Sequence, residues 1–248
     1  MIEMLKKAIQ NNEFKMLFQP IFNFSSNSTA SAESLIRWQN PVYGAISPSE
    51  FIPLAERSGL IFPITMIVIN NVFAISKKSP GFIFTINLSG KDIANPDMLH
   101  VIDRLADQYN ILPGSIIFEI TETAIIDDLS SVLENFNGLR ERGFRIHIDD
   151  FGTGFSSISY LKKFPSDAIK IDKTFTNKIH TNIKDQSIIK NMIGLGKAFD
   201  KKVIIEGVEV REQFDIVEEL GADEVQGYFY SHPLEFQKLK ILHINQFN

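Results

Sequence analysis

Acidic and amide side chains recur at the ends of apolar runs along this sequence, and their placement is the first sign of chemistry. The positions are Glu33, Asn87, Glu119, Asp149 with Asp150, Glu206 and Gln226, and Lys170 stands in the same relation to its own run. If those runs are neighbouring strands, the groups meet at one end of a sheet although most are far apart in sequence. Carboxylates gathered so closely repel, each pair by about 4 kcal/mol at 4 Å and an effective dielectric of 20. One lysine does not offset that. A divalent cation, or two, is the simplest remedy, and a ligand set of carboxylate and amide oxygens favours Mg²⁺ or Mn²⁺ over zinc. Any one of these residues alone could as well be a cap or a salt-bridge partner; the set as a whole points to a hard-metal site.

Strands must position them. Period-two alternation puts Glu33, Leu35 and Arg37 on one face, as it does Ile83, Thr85 and Asn87, and Ile117 and Glu119. Runs rich in β-branched and aromatic residues predict strands at Phe14 to Phe24, Thr29 to Trp38, Phe82 to Leu88, Ser115 to Thr121, Phe144 to Asp149, Asp167 to Ile171, Lys202 to Glu206 and Glu224 to Phe229. Helical patterns lie between them at Pro48 to Arg57, Met98 to Tyr109, Leu129 to Arg142, Asp185 to Phe199 and Arg211 to Leu220. This alternation predicts an α/β fold, a TIM-type (β/α)8 barrel with its site at the C-terminal rim of the strands. Only Ser25-Ser26-Asn27-Ser28 separates the first two strands, too little for a parallel crossover, so the barrel is expected to start irregularly with an antiparallel first strand. A Rossmann-like sheet is the rival, but no Gly-rich phosphate loop follows an early strand.

The chain of 248 residues is long enough for one such barrel and shows no linker, so a single domain over residues 1–248 is expected. A net charge of −5 argues against holding a long nucleic acid, DNA included; a small phosphate ligand met by local cations stays open. The absence of Cys removes disulfides, thiolate catalysis and Cys-ligated zinc, and fits a cytoplasmic protein. Met1 to Phe14 reads as a polar amphipathic helix without the apolar core of a signal peptide. The most apolar stretch, Leu60 to Ile75, is broken by Pro63 and Asn70-Asn71 and is shorter than the roughly 20 residues that span a bilayer. It is expected to be a buried helix, and no membrane span is expected.

The motifs resemble the EAL-domain family of cyclic di-GMP phosphodiesterases over nearly the whole chain. The resemblance runs from Phe18-Gln19-Pro20 through Glu33-Ser34-Leu35 with Arg37-Trp38, Asn87-Leu88-Ser89, Glu119-Ile120-Thr121-Glu122 and the stretch Asp149 to Ser157. It continues with Lys170-Ile171-Asp172, Glu206-Gly207-Val208-Glu209, Gln226-Gly227-Tyr228 and Pro233-Leu234. It implies metal-dependent hydrolysis of cyclic di-GMP to linear pGpG by in-line attack of a metal-activated water, with two ions of Mg²⁺ or Mn²⁺, in a homodimer. Glu33, Asn87, Glu119 and Asp149 look like ligands of one ion, with Asp149 shared with a second that also involves Asp150. Glu206 and Lys170 resemble the catalytic residues that orient or deprotonate the water. Gln19, Leu35, Arg37 and Gln226 fall at the substrate, and Glu122 resembles the anchor of the loop from Asp150 to Ser157.

Ser34 stands where the family has Ala, Gly90-Lys91-Asp92 where it usually shows Ala-Arg-Gln, and Ile205 where Ala is common. The middle change places a substrate contact in question. The alternative function is a catalytically silent EAL-like domain that serves as a cyclic di-GMP receptor or protein-binding regulator; a barrel hydrolase for another phosphodiester is a third reading. Other residues read structurally: His147 as a satisfied core histidine pointing into the barrel, the Phe residues as core with one at the mouth free to stack on a base, and Gly152-Thr153-Gly154 as a loop hinge before a helix near Ser156. Lys162-Lys163 and Lys201-Lys202 read as solvated charges.

Overall fold

A computed structural model describes residues 1–127, 129–154, 161–162 and 164–245. The strands are β1 (Phe14–Asn23), β2 (Ser28–Asn40), β3 (Gly44–Ile46), β4 (Phe84–Leu88), β5 (Ile116–Thr121), β6 (Arg145–Phe151), β7 (Ala168–Ile171), β8 (Lys202–Ile205) and β9 (Glu224–Val225). They form one sheet in the order β1-β9-β8-β7-β6-β5-β4-β2-β3, and β1 also pairs with β2, which closes the barrel and leaves β3 outside it. That closure rules out the open-sheet rival. The neighbours from β2 and β4 round to β9 are parallel, whereas β1 is antiparallel to both β2 and β9. The reversed first strand expected from the short Ser/Asn connection is therefore present. Asn23 Oδ1 accepts from Ser26 N at 2.9 Å, and Asn27 takes the left-handed φ of 50° that Asn tolerates in such a turn.

The helices among the described residues are α1 (Ile2–Gln10), α2 (Pro48–Ser58), α3 (Ile61–Ser76), α4 (Gly90–Ile93), α5 (Met98–Tyr109), α6 (Glu122–Asp127), α7 (Leu129–Glu141), α8 (Ile183–Ala198), α9 (Arg211–Glu219) and α10 (Phe236–Asn245). The main core lies between the strands and this outer layer, where Phe73, Phe84, Phe118 and Phe136 are fully buried. Helix α3 carries the apolar stretch and is buried along Ile64, Val68, Ile69, Val72 and Phe73. Among the described residues no helix is long and apolar enough to cross a membrane. A satellite core of Leu5, Ala8, Phe14, Trp38, Phe51, Ala55, Ile61 and Ile64 joins α1 to α2 and α3. Inside the barrel Ile21, Ala168 and Ile204 form an apolar plug.

Several details depart from the sequence expectations. The last strand ends at Val225 instead of Phe229 because Gly227 sits against the backbone of Val208, with no room for a Cβ, and the chain turns there. Strand β3 is an unforeseen hairpin extension of β2, pairing Trp38 with Ile46. Lys201 is not solvated: it is buried and donates from Nζ to the carbonyls of Phe164 at 3.1 Å and Ser166 at 2.8 Å. Lys202 is half exposed and reaches Glu224 Oε1 at 3.1 Å. Lys163 and the helix expected near Ser156 lie outside the described residues.

Candidate active site

Parallel register brings the polar ends together. Glu33 pairs across from Gln19 on β1, Asn87 from Glu119, and Glu119 from His147. Asp149 continues the same interior face of β6, Lys170 faces in from β7, and Glu206 and Gln226 follow directly on β8 and β9. At the centre stands Lys170, fully buried, with its Nζ 2.7 Å from Glu206 Oε1, 3.1 Å from Glu119 Oε2, 3.3 Å from Asp149 Oδ1 and 3.6 Å from Glu33 Oε2. Glu33 is clamped from two sides: Asn87 Nδ2 donates to Oε1 at 2.7 Å and Gln226 Nε2 to Oε2 at 2.6 Å. Gln226 also approaches Gln19 Oε1 at 3.3 Å, while Gln19 Nε2 donates to the Ser231 carbonyl at 3.2 Å.

The electrostatics follow from burial and from this arrangement. Burial pushes the Glu119 carboxyl up to about 7, against the pull of Lys170 and with help from Glu33. Burial likewise raises Asp149 to about 6, and burial together with the adjacent Asp149 raises Asp150 to about 6. Glu206 is raised well above the usual carboxylate range by burial, more than Lys170 can offset. Glu33 also suffers burial, yet Lys170 and the two amide donors leave it below its ordinary value. Burial works against the Lys170 ammonium, but the surrounding carboxylates hold its pKa well above that of a free lysine. Burial drives His147 down to about 3, so the ring is neutral.

One ammonium does not neutralise this many carboxylates, and the donor set fits a divalent cation. Oxygens of Asp149, Asp150 and Glu206 all lie within 4.8 Å of one another, the spacing of a shared ion. Glu206, expected at the attacking water, also lies within reach of an ion held by the two aspartates. Asp150 takes a left-handed φ of 53°, a conformation that Asp adopts more readily than most residues. Its own N–H donates to Asp149 Oδ1 at 2.9 Å. Glu122 Oε2 accepts from the N–H of Gly152 at 2.9 Å, at a residue whose φ of 98° suits glycine. The loop onward from residue 155 to 160 lies outside the described residues.

Two cavities open on this cluster, and Asp149 lines both. The larger, of about 770 Å³, is walled by Leu35, Arg37, Ile52, Asn87, Lys91 and Glu119 among others. The smaller, of about 240 Å³, is walled by Gln19, Glu33, Glu206, Gln226, Lys173 and Tyr228 among others. The four expected substrate residues are thus divided, Leu35 and Arg37 on one side and Gln19 and Gln226 on the other. Among the described residues no Phe lines either cavity, and the aromatic ring there is Tyr228, stacked on His232 with centroids 4.1 Å apart. Tyr228 carries no charge and no ligand atom suited to a hard metal, so its place at the cavity shows only in the fold. Of the departing tripeptide, Asp92 is fully buried and closes a capping box with Ser89, so it serves the first turn of α4; Lys91 reaches the Glu56 carbonyl at 2.6 Å beside the larger cavity.

The fold and site together are those of a closed α/β barrel with a buried lysine, an acidic rim able to hold a metal ion and two flanking cavities. Residues 2–233 match the family model of the EAL domain. The chain belongs to the EAL domain family. It is 35% identical over 239 residues to the probable cyclic di-GMP phosphodiesterase PdeG of Escherichia coli strain K12, covering 94% of this chain and 47% of that protein. It superposes on the solved cyclic di-GMP complex of the PaMucR phosphodiesterase with a TM-score of 0.91 at 29% identity, covering 96% of this chain and 98% of that one. The EAL enzyme Bd1971, solved with cAMP and cyclic di-GMP bound, gives a TM-score of 0.91 at 32% identity, covering 97% of this chain and 68% of that one. The chain spans 34% to 47% of the length of the first curated relatives it matches.

Proposed function

We propose that this chain is a cyclic di-GMP phosphodiesterase that cleaves one phosphodiester bond to give linear pGpG, using Mg²⁺ or Mn²⁺, two per site. The observation that carries the reading is the buried cluster around Lys170, complete in carboxylates and set between two cavities. The names of the relatives support the substrate. Asp149, Asp150 and Glu206 would hold one ion, and Glu33, Asn87, Glu119 and Asp149 the other. Bound there, such ions lower the pKa of water and stabilise the charge that develops on phosphate oxygens.

The protein's own groups do the rest. Arg37, on the wall of the larger cavity, supplies a guanidinium for a non-bridging phosphate oxygen, the pairing that its planar fork favours. Lys170 fixes Glu206 at 2.7 Å, and Glu206 takes the proton of the attacking water. Gln226 and Asn87 keep Glu33 ionised and oriented. We place the enzyme in the cytoplasm as a homodimer, a reading that the absence of Cys and the family resemblance support.

The test is to incubate pure protein with cyclic di-GMP and Mg²⁺ or Mn²⁺, with a chelator control, and to resolve the products. Formation of pGpG only with metal is expected. Tight binding of cyclic di-GMP without turnover under either metal would overturn the enzymatic reading in favour of a receptor. Sedimentation of the purified chain tests the dimer.

A further inference from the structure

Glu119, a carboxylate of the central cluster, has an inward-facing neighbour that the proposed chemistry does not use, His147. Glu119 and His147 stand opposite each other on β5 and β6, both facing the barrel interior. Glu119 is fully buried and His147 nearly so. The two carboxylate oxygens of Glu119 have different surroundings. Oε2 accepts from Lys170 Nζ at 3.1 Å. Oε1 faces His147 Nδ1 at 3.6 Å, both atoms are buried without a hydrogen bond of ordinary length, and the Thr85 hydroxyl, also buried, lies beside the same carboxylate. Buried polar atoms without partners are rare, and each calls for a reason.

Here the two unpaired atoms face one another, and one of them can donate. A small rotation of either side chain brings them into the ordinary range of about 2.7–3.2 Å. Other charged groups around His147 are already engaged. Glu224 Oε1 accepts from Asn23 Nδ2 at 3.2 Å and Lys202 Nζ at 3.1 Å, Asp167 Oδ2 accepts from the Ile146 N–H at 2.8 Å, and Arg145 Nη2 donates to the Gly114 carbonyl at 2.8 Å. Glu119 Oε1, at 3.6 Å, is the acceptor that the structure sets against Nδ1.

We propose that His147 is a positioning residue: its Nδ1–H donates to Glu119 Oε1 and fixes the plane of that carboxylate, so that Oε2 is presented to Lys170 and to a divalent ion. The inference rests on the reading of Glu119 as a metal ligand. A histidine's tautomer is set by the hydrogen bond its ring makes, and an outer partner of a ligating carboxylate typically changes metal affinity by 10–100-fold.

Two measurements test it on the full chain. Nitrogen NMR of imidazole-labelled, metal-free protein should find the His147 proton on Nδ1; a proton on Nε2 alone overturns the proposal whatever the metal does. Mn²⁺ titration without substrate should show His147→Phe, which fills the space but donates nothing, binding roughly 10–100-fold more weakly. His147→Asn, which offers an N–H again, should recover most of that loss. Wild-type affinity in His147→Phe, or equal losses in both variants, overturns the proposal. Absence of Mn²⁺ binding by the wild-type protein would instead overturn the metal reading, and the tautomer would still decide the role of His147, as it would if His147→Phe failed to fold.

Discussion

The ammonium of Lys170 lies 2.7 Å from Glu206 Oε1, the shortest of its four carboxylate contacts, at the centre of the barrel mouth. Removing one partner from a buried ionic group costs roughly 3–5 kcal/mol, because the remaining charges are left uncompensated. Lys170→Met should therefore lose about that much stability at pH 8 without metal, and recover part of it when Mn²⁺ is added. Chemical denaturation with and without Mn²⁺ measures both; an unchanged midpoint in metal-free protein would show that the lysine does not neutralise the cluster.

The raised carboxyls set a pH dependence. With Glu119 at about 7 and Asp149 at about 6, the folded metal-free protein keeps protons that the unfolded chain has released. Their contribution to stability is present below about pH 4 and is lost as the pH rises to about 7. Metal ions need the deprotonated forms, so Mn²⁺ affinity should rise across the same interval. Calorimetric titrations in buffers of different ionisation enthalpy should show proton release at pH 6 and much less at pH 8.

Glu122 holds the loop after β6 through the Gly152 N–H. Glu122→Ala should keep the fold and weaken Mg²⁺ activation by roughly 10–100-fold, since Asp149 and Asp150 lose their support. Superimposable activation curves and equal maximal rates would return Glu122 to a purely structural role.

Binding and chemistry should separate by position. Glu33→Ala is expected to abolish turnover, whereas Arg37→Ala should mainly raise KM, because the guanidinium lies on the wall of the larger cavity and rests on the Ile36 carbonyl. Steady-state kinetics on the two proteins decide it: an unchanged KM for Arg37→Ala would remove it from the phosphate.

What could be read in advance was what local pattern controls. Alternation placed Glu33, Asn87 and Glu119 on inward faces, and the short connection after Asn23 dictated the reversed strand. The remainder depends on which distant backbone lies nearby. Lys201 is buried because two carbonyls in another loop await its ammonium, and β9 stops early because Val208 leaves no space at residue 227. His147 was legible as inward-facing, but its unpaired Nδ1 depends on how closely β5 brings Glu119 to it. The separation of Arg37 from Gln19 into two cavities needed the closed barrel, since the two residues lie on paired strands.

The reversal of β1 also fixes where the polypeptide arrives. In a barrel of uniformly parallel strands the chain enters at the pole opposite the reaction centre. Here Phe14 pairs with Trp38, beyond the Gln19–Glu33 level of the rim, so α1 is set at the reactive pole. Its Leu5 and Ala8 pack into the same cluster as Ile61 and Ile64, whose residues also wall the larger cavity. The first helix and the acidic mouth share one pole of the molecule, and α1 is a neighbour of the pocket wall and not of the barrel floor.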